Sequence, residues 1–140
     1  MKYAYFPGCS LEAAGRPYDH SLRRVMEALG QELSEVPDWN CCGATMYMSV
    51  KETVALALSA RNLALAERMD APALVAPCSA CYTTLRKTHR CLAELPGMRA
   101  QVNEALAEAG LRYDLGVKVR HPLDIIVNDI GVATVVRKAK

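Results

Sequence analysis

Residues 73–81 have the sequence Ala73-Leu74-Val75-Ala76-Pro77-Cys78-Ser79-Ala80-Cys81, an apolar run followed by a proline. A short apolar run that ends at a turn residue is typical of a buried strand. Because proline cannot continue the strand ladder, the strand should stop at Pro77, and a helix is expected to begin near Cys78. Cys81 would then lie one helical turn further on the same face. The stretch therefore predicts a strand–turn–helix unit with two thiols at the junction.

The rest of the chain repeats this alternation of short apolar runs and longer amphipathic ones. Strands are predicted at 2–6, 31–36, 73–76 and 117–119, and helices at about 18–30, at 50–69, from Cys78, at about 97–109 and from His121. Alternating strands and helices favour an α/β fold. We expect a Rossmann-like domain with a small, mainly parallel sheet flanked by helices. With no repeat, low-complexity segment or linker visible, residues 1–140 are predicted to form one domain.

Composition excludes several classes of function. Of the 140 residues 51% are hydrophobic, yet no stretch approaches the roughly 20 apolar residues of a membrane span. The first residues lack the apolar core of a secretory signal, so we expect the cytoplasm, where thiols stay reduced. The net charge is only +2, and the basic residues are dispersed apart from one cluster at residues 86–90. A nucleic-acid partner is therefore not expected.

Five of the six cysteines form one pattern, composed of Cys9, the pair Cys41-Cys42 followed by Gly43, and Cys78 with Cys81. Cys9 and Cys78 each follow a predicted strand, and in parallel sheets ligand sites gather at the carboxyl edge. The pair lies in a long loop that can fold over the same edge. Thiolates prefer zinc, copper(I) or iron–sulfur centres, so the pattern indicates a site for a soft metal.

Two other uses of these cysteines compete with a metal cluster. A structural zinc site often contains a Cys-x2-Cys pair, but such a site closes at four ligands, whereas this pattern offers five. Thiol–disulfide exchange fits Cys78 and Cys81 between a strand and a helix. That use leaves Cys9, Cys41 and Cys42 without a role.

The remaining cysteine and the three histidines have simpler predicted roles. Cys91 falls ten residues after Cys81, roughly 15 Å further along a continuous helix, and is expected to pack as a small apolar residue. His20 and His89 lie on predicted helices among polar neighbours and should be solvated. His121, before Pro122, is expected to serve the turn rather than bind a metal.

Four motifs carry a resemblance to a known family. They are Tyr5-Phe6-Pro7-Gly8-Cys9-Ser10-Leu11, Asp38-Trp39-Asn40-Cys41-Cys42-Gly43-Ala44-Thr45, Ala76-Pro77-Cys78-Ser79-Ala80-Cys81-Tyr82 and His121-Pro122-Leu123-Asp124. The chain resembles the N-terminal cysteine-rich (CCG) domain of the heterodisulfide reductase B-subunit family. Relatives of that family include glycolate oxidase iron–sulfur subunits and an unusual succinate dehydrogenase subunit.

The resemblance implies a non-cubane [4Fe-4S] cluster, because an ordinary cubane takes four thiolates and this family uses five. The implied ligands are Cys9, Cys41, Cys42, Cys78 and Cys81. Electrons would pass to a disulfide substrate, which is cleaved at the cluster, so no catalytic side chain is assigned. The implied partners are a second CCG domain, a ferredoxin-like iron–sulfur subunit and a flavoprotein subunit. Because the family carries two such domains in tandem, we expect this chain alone to reduce a disulfide poorly or not at all.

Overall fold

The sheet is small and entirely parallel in the computed structural model, which describes residues 1–44 and 47–139. Its strands are Lys2–Tyr5 (β1), Glu32–Glu35 (β2), Ala73–Val75 (β3) and Lys118–Arg120 (β4), in the spatial order β2-β1-β3-β4. The predicted α/β fold with a parallel sheet is confirmed. Thr45, the last residue of the second motif, lies outside the described residues.

Helices connect the strands and cover the sheet. They are Gly8–Glu12 (α1), Arg16–Ala28 (α2), Tyr47–Val50 (α3), Glu52–Glu67 (α4), Ser79–Glu94 (α5), Pro96–Ala107 (α6), Pro122–Ile125 (α7) and Val132–Lys138 (α8), with a π-helical turn at Ile126–Ile130. The predicted boundaries of the strands and helices lie within two residues of these. The short helices α1 and α3 were not predicted.

The side chains of β1 alternate between two apolar layers, one on each face of the sheet. Ala4 and Phe6 belong to the larger core, which α4, α5 and α6 cover, whereas Tyr3 and Tyr5 belong to a smaller core under α2 and α7. All four are essentially inaccessible to solvent. Burial on both faces is the physical reason that the strands form a parallel sheet between two helical layers.

The C-terminal region forms two short helices separated by a π-helical turn, rather than the single helix expected from His121. After α7 the backbone widens into the π-helical turn, and Gly131, with a φ of 84°, separates that turn from α8. Asp129 in the turn accepts hydrogen bonds from the Tyr3 hydroxyl (3.1 Å) and from Arg120 (2.6 Å). The turn thus anchors the C-terminal region to β1 and β4.

The strand order creates a topological switch point between β1 and β3. From β1 the chain crosses to β2 on one side, and it returns to β3 on the other side of β1. Loops that leave two such strands diverge at the carboxyl edge and leave a crevice, which is where α/β proteins bind ligands. The two strands that flank this crevice are the ones followed by Cys9 and Cys78.

Candidate metal centre

Cys9 and Cys78 lie at helix starts beside the switch point. Cys9 is the second residue of α1, and Cys78 is the N-cap of α5. Cys81 lies in the first turn of α5 and is buried. The predicted strand–turn–helix arrangement around Cys78 and Cys81 is therefore confirmed.

The pair Cys41-Cys42 reaches the same edge from the loop after β2. Cys42 is buried, with 3% of its surface exposed, whereas Cys41 and Cys9 are exposed. Gly43 turns the loop with a φ of 88°, a conformation that favours glycine. A Cβ at Gly43 would lie 3.3 Å from the carbonyl oxygen of Ala55, so the loop is also packed closely against α4.

The structure brings all five thiols of the pattern together. The side chain of Cys42 hydrogen-bonds to that of Cys81, and Cys81 in turn contacts Cys78. Cys42 also contacts Cys41, which lies close enough to Cys9 for the two thiols to interact electrostatically. All six cysteines of the chain are free. We call these five thiols the thiol row, in the order Cys9, Cys41, Cys42, Cys81 and Cys78 in which each neighbours the next.

Hydrogen-bond donors surround these sulfurs. The backbone N–H groups of Gly43 and Ala44 donate to Cys41 and Cys42, respectively. Cys78 accepts from the N–H groups of Cys81 and Ala80 and from the hydroxyl of Ser10. Donors aimed at sulfur stabilise the thiolate, which is the form that binds a metal.

The pKa values of the thiols follow from these contacts. Burial opposes ionisation of Cys78, yet hydrogen bonds from Cys81, Ser10 and Ala80 lower its pKa. The hydrogen bond between Cys42 and Cys81 lowers the pKa of Cys42 and raises that of Cys81, whose burial raises it further. The hydrogen bond from Gly43 lowers the pKa of Cys41, but partial burial and the neighbouring Cys42 and Cys9 together raise it above its usual value.

Gly8 allows the backbone to approach Cys81 closely. Its φ is 76°, and a Cβ at this position would lie 2.7 Å from the Cys81 sulfur. Carbon and sulfur cannot approach so closely without a shift of the chain. A glycine is therefore required directly before Cys9.

His121 braces the Cys78 turn, in agreement with its predicted role. Its Nδ1 accepts the N–H of Leu123 at the start of α7, and its Nε2 lies 3.1 Å from the carbonyl oxygen of Pro77. Nε2 must then carry the proton, because a carbonyl oxygen can only accept. The ring of Tyr82 packs edge-on against His121, with ring centres 5.6 Å apart.

Of the predictions made for Cys91, His20 and His89, only the one for His89 is wrong. Cys91 is half-buried and packs against the larger core, and His20 is exposed, so both predictions are confirmed. His89 was expected to be solvated, but it is half-buried and its Nδ1 lies 2.5 Å from the hydroxyl of the buried Tyr113. The partner is distant in the sequence, which is why helical periodicity did not reveal it.

Sequence analysis missed three polar residues near the cysteine pair. Asn40, Arg61 and Asn62 join the loop before Cys41 to α4 through several hydrogen bonds. Asn62 is completely buried in an otherwise Ala/Leu-rich helix. That isolated amide in an apolar helix was the available signal in the sequence.

A cavity of about 570 Å³ opens beside the exposed Cys41. Its lining includes Glu12, Pro37, Asp38 and Trp39. The row of thiols is thus buried at Cys42 and Cys81 and accessible at Cys41.

Comparison with known proteins identifies the family. Residues 3–86 match the family described as "CCG: Cysteine-rich domain". The chain belongs to the CCG family. The match includes all five thiols of the row, all but the first residue of β1, and the strands β2 and β3.

Curated relatives of this CCG chain are named after reductases. It is 35% identical over 92% of its length to the 8-methylmenaquinol:fumarate reductase membrane anchor subunit of Wolinella succinogenes. It is 32% identical over 94% of its length to a protein of Archaeoglobus profundus that is named as similar to the B subunit of heterodisulfide reductase. The chain spans 44% of the length of each of these relatives. In the described part of the chain, no helix is long and apolar enough to cross a membrane.

A solved structure shares the fold of this CCG domain. The crystal structure of a hypothetical protein from Helicobacter pylori has a TM-score of 0.78 and 21% sequence identity. The match covers 89% of this chain and 25% of that one. At this identity the likeness concerns the fold alone.

Proposed function

We propose that this chain is the iron–sulfur redox module of a protein similar to the B subunit of heterodisulfide reductase. In this proposal Cys9, Cys41, Cys42, Cys78 and Cys81 bind a non-cubane [4Fe-4S] cluster. The observation that carries it is the convergence of the five thiols of the row beside the switch point. Relatives that share 24% and 25% identity with this chain are named iron–sulfur proteins, which supports the same kind of cofactor.

The donor set fits an iron–sulfur centre. It consists of five thiols, one more than a structural zinc site takes, and soft sulfur donors suit iron bridged by sulfide. Backbone N–H groups already point at Cys41, Cys42 and Cys78, as is needed to stabilise an anionic metal–thiolate centre. A structural zinc domain remains the alternative to be tested.

The protein's own groups would bind the cluster, shield part of the site from solvent and leave another part accessible. Cys42 and Cys81 lie in the protein interior, where solvent is excluded, and the glycine at position 8 lets the backbone approach the Cys81 sulfur. The exposed Cys41, which lines the 570 Å³ cavity, would give a disulfide access to the site. When bound, the cluster would supply electrons for reductive cleavage of that disulfide.

Partner subunits belong to the proposal. Relatives of this chain are subunits of reductases, and it spans less than half of their length. We therefore propose that residues 1–140 form one CCG domain that acts with a second one. A ferredoxin-like iron–sulfur subunit and a flavoprotein subunit would deliver the electrons.

Anaerobic reconstitution tests this function directly. The reduced chain is incubated with iron and sulfide, desalted, and analysed for iron, zinc and acid-labile sulfide. We expect about four iron atoms and four sulfides per chain, with a paramagnetic signal in the oxidised form. A colourless protein that takes up one zinc and no sulfide would support the structural alternative.

Replacing Cys42 with serine tests the five-ligand arrangement. Because Cys42 lies at the centre of the row, Cys42→Ser should lower the iron content or change the paramagnetic signal of the oxidised protein. Cys91→Ser is the matched control, since Cys91 lies outside the row and packs against the core. Unchanged iron and spectrum in Cys42→Ser would show that Cys42 is not a ligand. Appreciable disulfide reductase turnover by the reconstituted 140-residue chain would contradict the need for a second domain.

A further inference from the structure

The loop that carries Cys41 and Cys42 is fixed to α4 by a set of hydrogen bonds that involves none of the thiols. Asn62 is fully buried, and its side-chain amide bonds to the backbone of Asn40 in both directions. Its Oδ1 accepts the Asn40 N–H at 2.9 Å, and its Nδ2 donates to the Asn40 carbonyl oxygen at 2.8 Å. Asn40 is the residue directly before Cys41.

The side chain of Asn40 continues the same set of contacts. Its Nδ2 donates to the carbonyl oxygens of Cys41 (2.9 Å) and Leu58 (3.0 Å). The carbonyl oxygen of Leu58 belongs to α4, so both the backbone and the side chain of Asn40 are held by this helix.

Arg61 holds the outer end of the loop. Its Nη1 donates to the backbone oxygen of Asp38 (2.6 Å) and to Oδ1 of Asn40 (3.1 Å), and its Nη2 pairs with the carboxylate of Asp38. Asp38 has a positive φ of 52°, a conformation that is unfavourable for a non-glycine residue unless its surroundings hold it. We call Asn40, Arg61 and Asn62 the loop clip.

We propose that the loop clip is a positioning device, with Asn62 as its central positioning residue, that fixes the Cys41-Cys42 pair in its metal-binding arrangement before any metal is present. The proposal rests on the proposed function for the identity of the metal, but not for the contacts themselves. A buried amide that satisfies both backbone groups of one residue fixes the position of that residue. Because Cys41 follows immediately, its position is fixed with it, and Cys42 is kept against Cys81.

The helix supplies a matched control for the key residue. Ser59 lies on α4 and is fully buried like Asn62, but its hydroxyl has no hydrogen-bond partner in the described part of the chain. Ser59→Ala thus changes a buried polar residue of the same helix without touching the loop clip. Asn62→Leu keeps a similar size and leaves both backbone groups of Asn40 unpaired.

Alkylation of the metal-free protein tests the loop clip without the cluster. Peptide mass spectrometry measures the modification rate of each cysteine under reducing, chelated conditions. We expect Asn62→Leu to raise the rate at Cys42 about tenfold or more, since local opening sets the reactivity of a buried thiol. The rate at Cys91 should not change, because Cys91 packs against the core on α5. Ser59→Ala should behave as the wild type does at both cysteines.

A second readout uses the loaded protein. Losing a group that orients metal ligands typically weakens metal binding 10- to 100-fold, so iron release to a chelator should be faster in Asn62→Leu by roughly that factor. The paramagnetic signal of Asn62→Leu should also broaden or shift. Ser59→Ala should match the wild type in both its iron-release rate and its paramagnetic signal.

The outcomes separate the two proposals. If the wild type takes up no iron, the proposed function fails, and the alkylation rates still decide whether the loop clip positions Cys42. If Asn62→Leu matches Ser59→Ala in alkylation and iron release, the loop clip is overturned. If Cys91 also becomes reactive in Asn62→Leu, the variant has unfolded and Arg61→Gln decides instead. That variant loosens only the outer end, and it must then raise the Cys42 rate above the wild-type rate for the proposal to stand.

Discussion

Replacing Gly8 with alanine should disturb the thiol row in two separable ways. The first is backbone strain, because the φ of Gly8 is 76° and a side chain in the left-handed region costs about 1–2 kcal/mol. The second is a collision, since the new Cβ would lie 2.7 Å from the sulfur of Cys81. Non-bonded heavy atoms pack best at about 3.5–4.0 Å. Cys81 is 3% exposed, so its sulfur has little room to move away.

The expected size of the effect follows from these two contributions. Overpacking a buried site costs about 1–3 kcal/mol, so Gly8→Ala should lower the free energy of unfolding by about 2–5 kcal/mol in all. Gly30 provides the matched control. Its φ is 79°, and no described atom lies within 4 Å of the position of its Cβ. Gly30→Ala should therefore cost only the strain, about 1–2 kcal/mol.

The assay is urea unfolding of the reduced, metal-free protein, followed by circular dichroism. The difference between Gly8→Ala and Gly30→Ala isolates the collision with Cys81 and should be about 1–3 kcal/mol. After reconstitution, Gly8→Ala should also hold less iron than Gly30→Ala. Equal unfolding free energies and equal iron contents in the two variants would refute the argument that Gly8 is needed for close approach to Cys81.

Substitutions at three further positions probe other parts of the structure. Cys91→Ala should lower the unfolding free energy by about 1 kcal/mol through lost packing and leave the iron content unchanged, so loss of iron would overturn its assignment as a packing residue. Arg120→Gln removes the hydrogen bonds that lower the pKa values of Asp124 and Asp129. Because these partly exposed pairs stabilise the fold only while the carboxylates are ionised, the variant should lose about 0.5–1 kcal/mol at pH 7, and the loss should shrink below about pH 4. If urea unfolding gave the same difference in unfolding free energy between wild type and Arg120→Gln at pH 7 and at pH 3, this reasoning would be contradicted. His121→Ala should cost about 1–2 kcal/mol and speed iron release, and His121→Asn should restore part of the stability because asparagine also caps helices. Equal stabilities of the two His121 variants would show that the cap is unimportant.

The strands, the main helices and the junctions at Cys9 and Cys78 could be predicted because they depend on local sequence. Apolar runs, proline and glycine act over a few residues, and β1 and β3 lie within two residues of the predicted positions. The short helix α1 and the break after α7 could not be predicted in this way. The break places Asp129 against Tyr3, a partner 126 residues away.

The environment of the cysteine pair depends on contacts that are distant in sequence. Asn62 bonds to Asn40 across 22 residues, and His89 bonds to Tyr113 across 24. In each case a polar side chain on a helix could equally face solvent or a buried partner. Helical periodicity does not distinguish these, because the partner lies on another segment.

The sequence by itself determined which five cysteines could meet at one edge of the sheet. Five cysteines in three groups, two of them directly after strands, can meet because parallel strands present their carboxyl ends at one edge. The tertiary structure alone decided how they meet. The order β2-β1-β3-β4 puts Cys9 and Cys78 on either side of the switch point, and the contacts of Asn62 bring Cys42 against Cys81. Strand order and buried hydrogen bonds arise from packing between distant segments, and the spacing of cysteines along the chain does not contain that information.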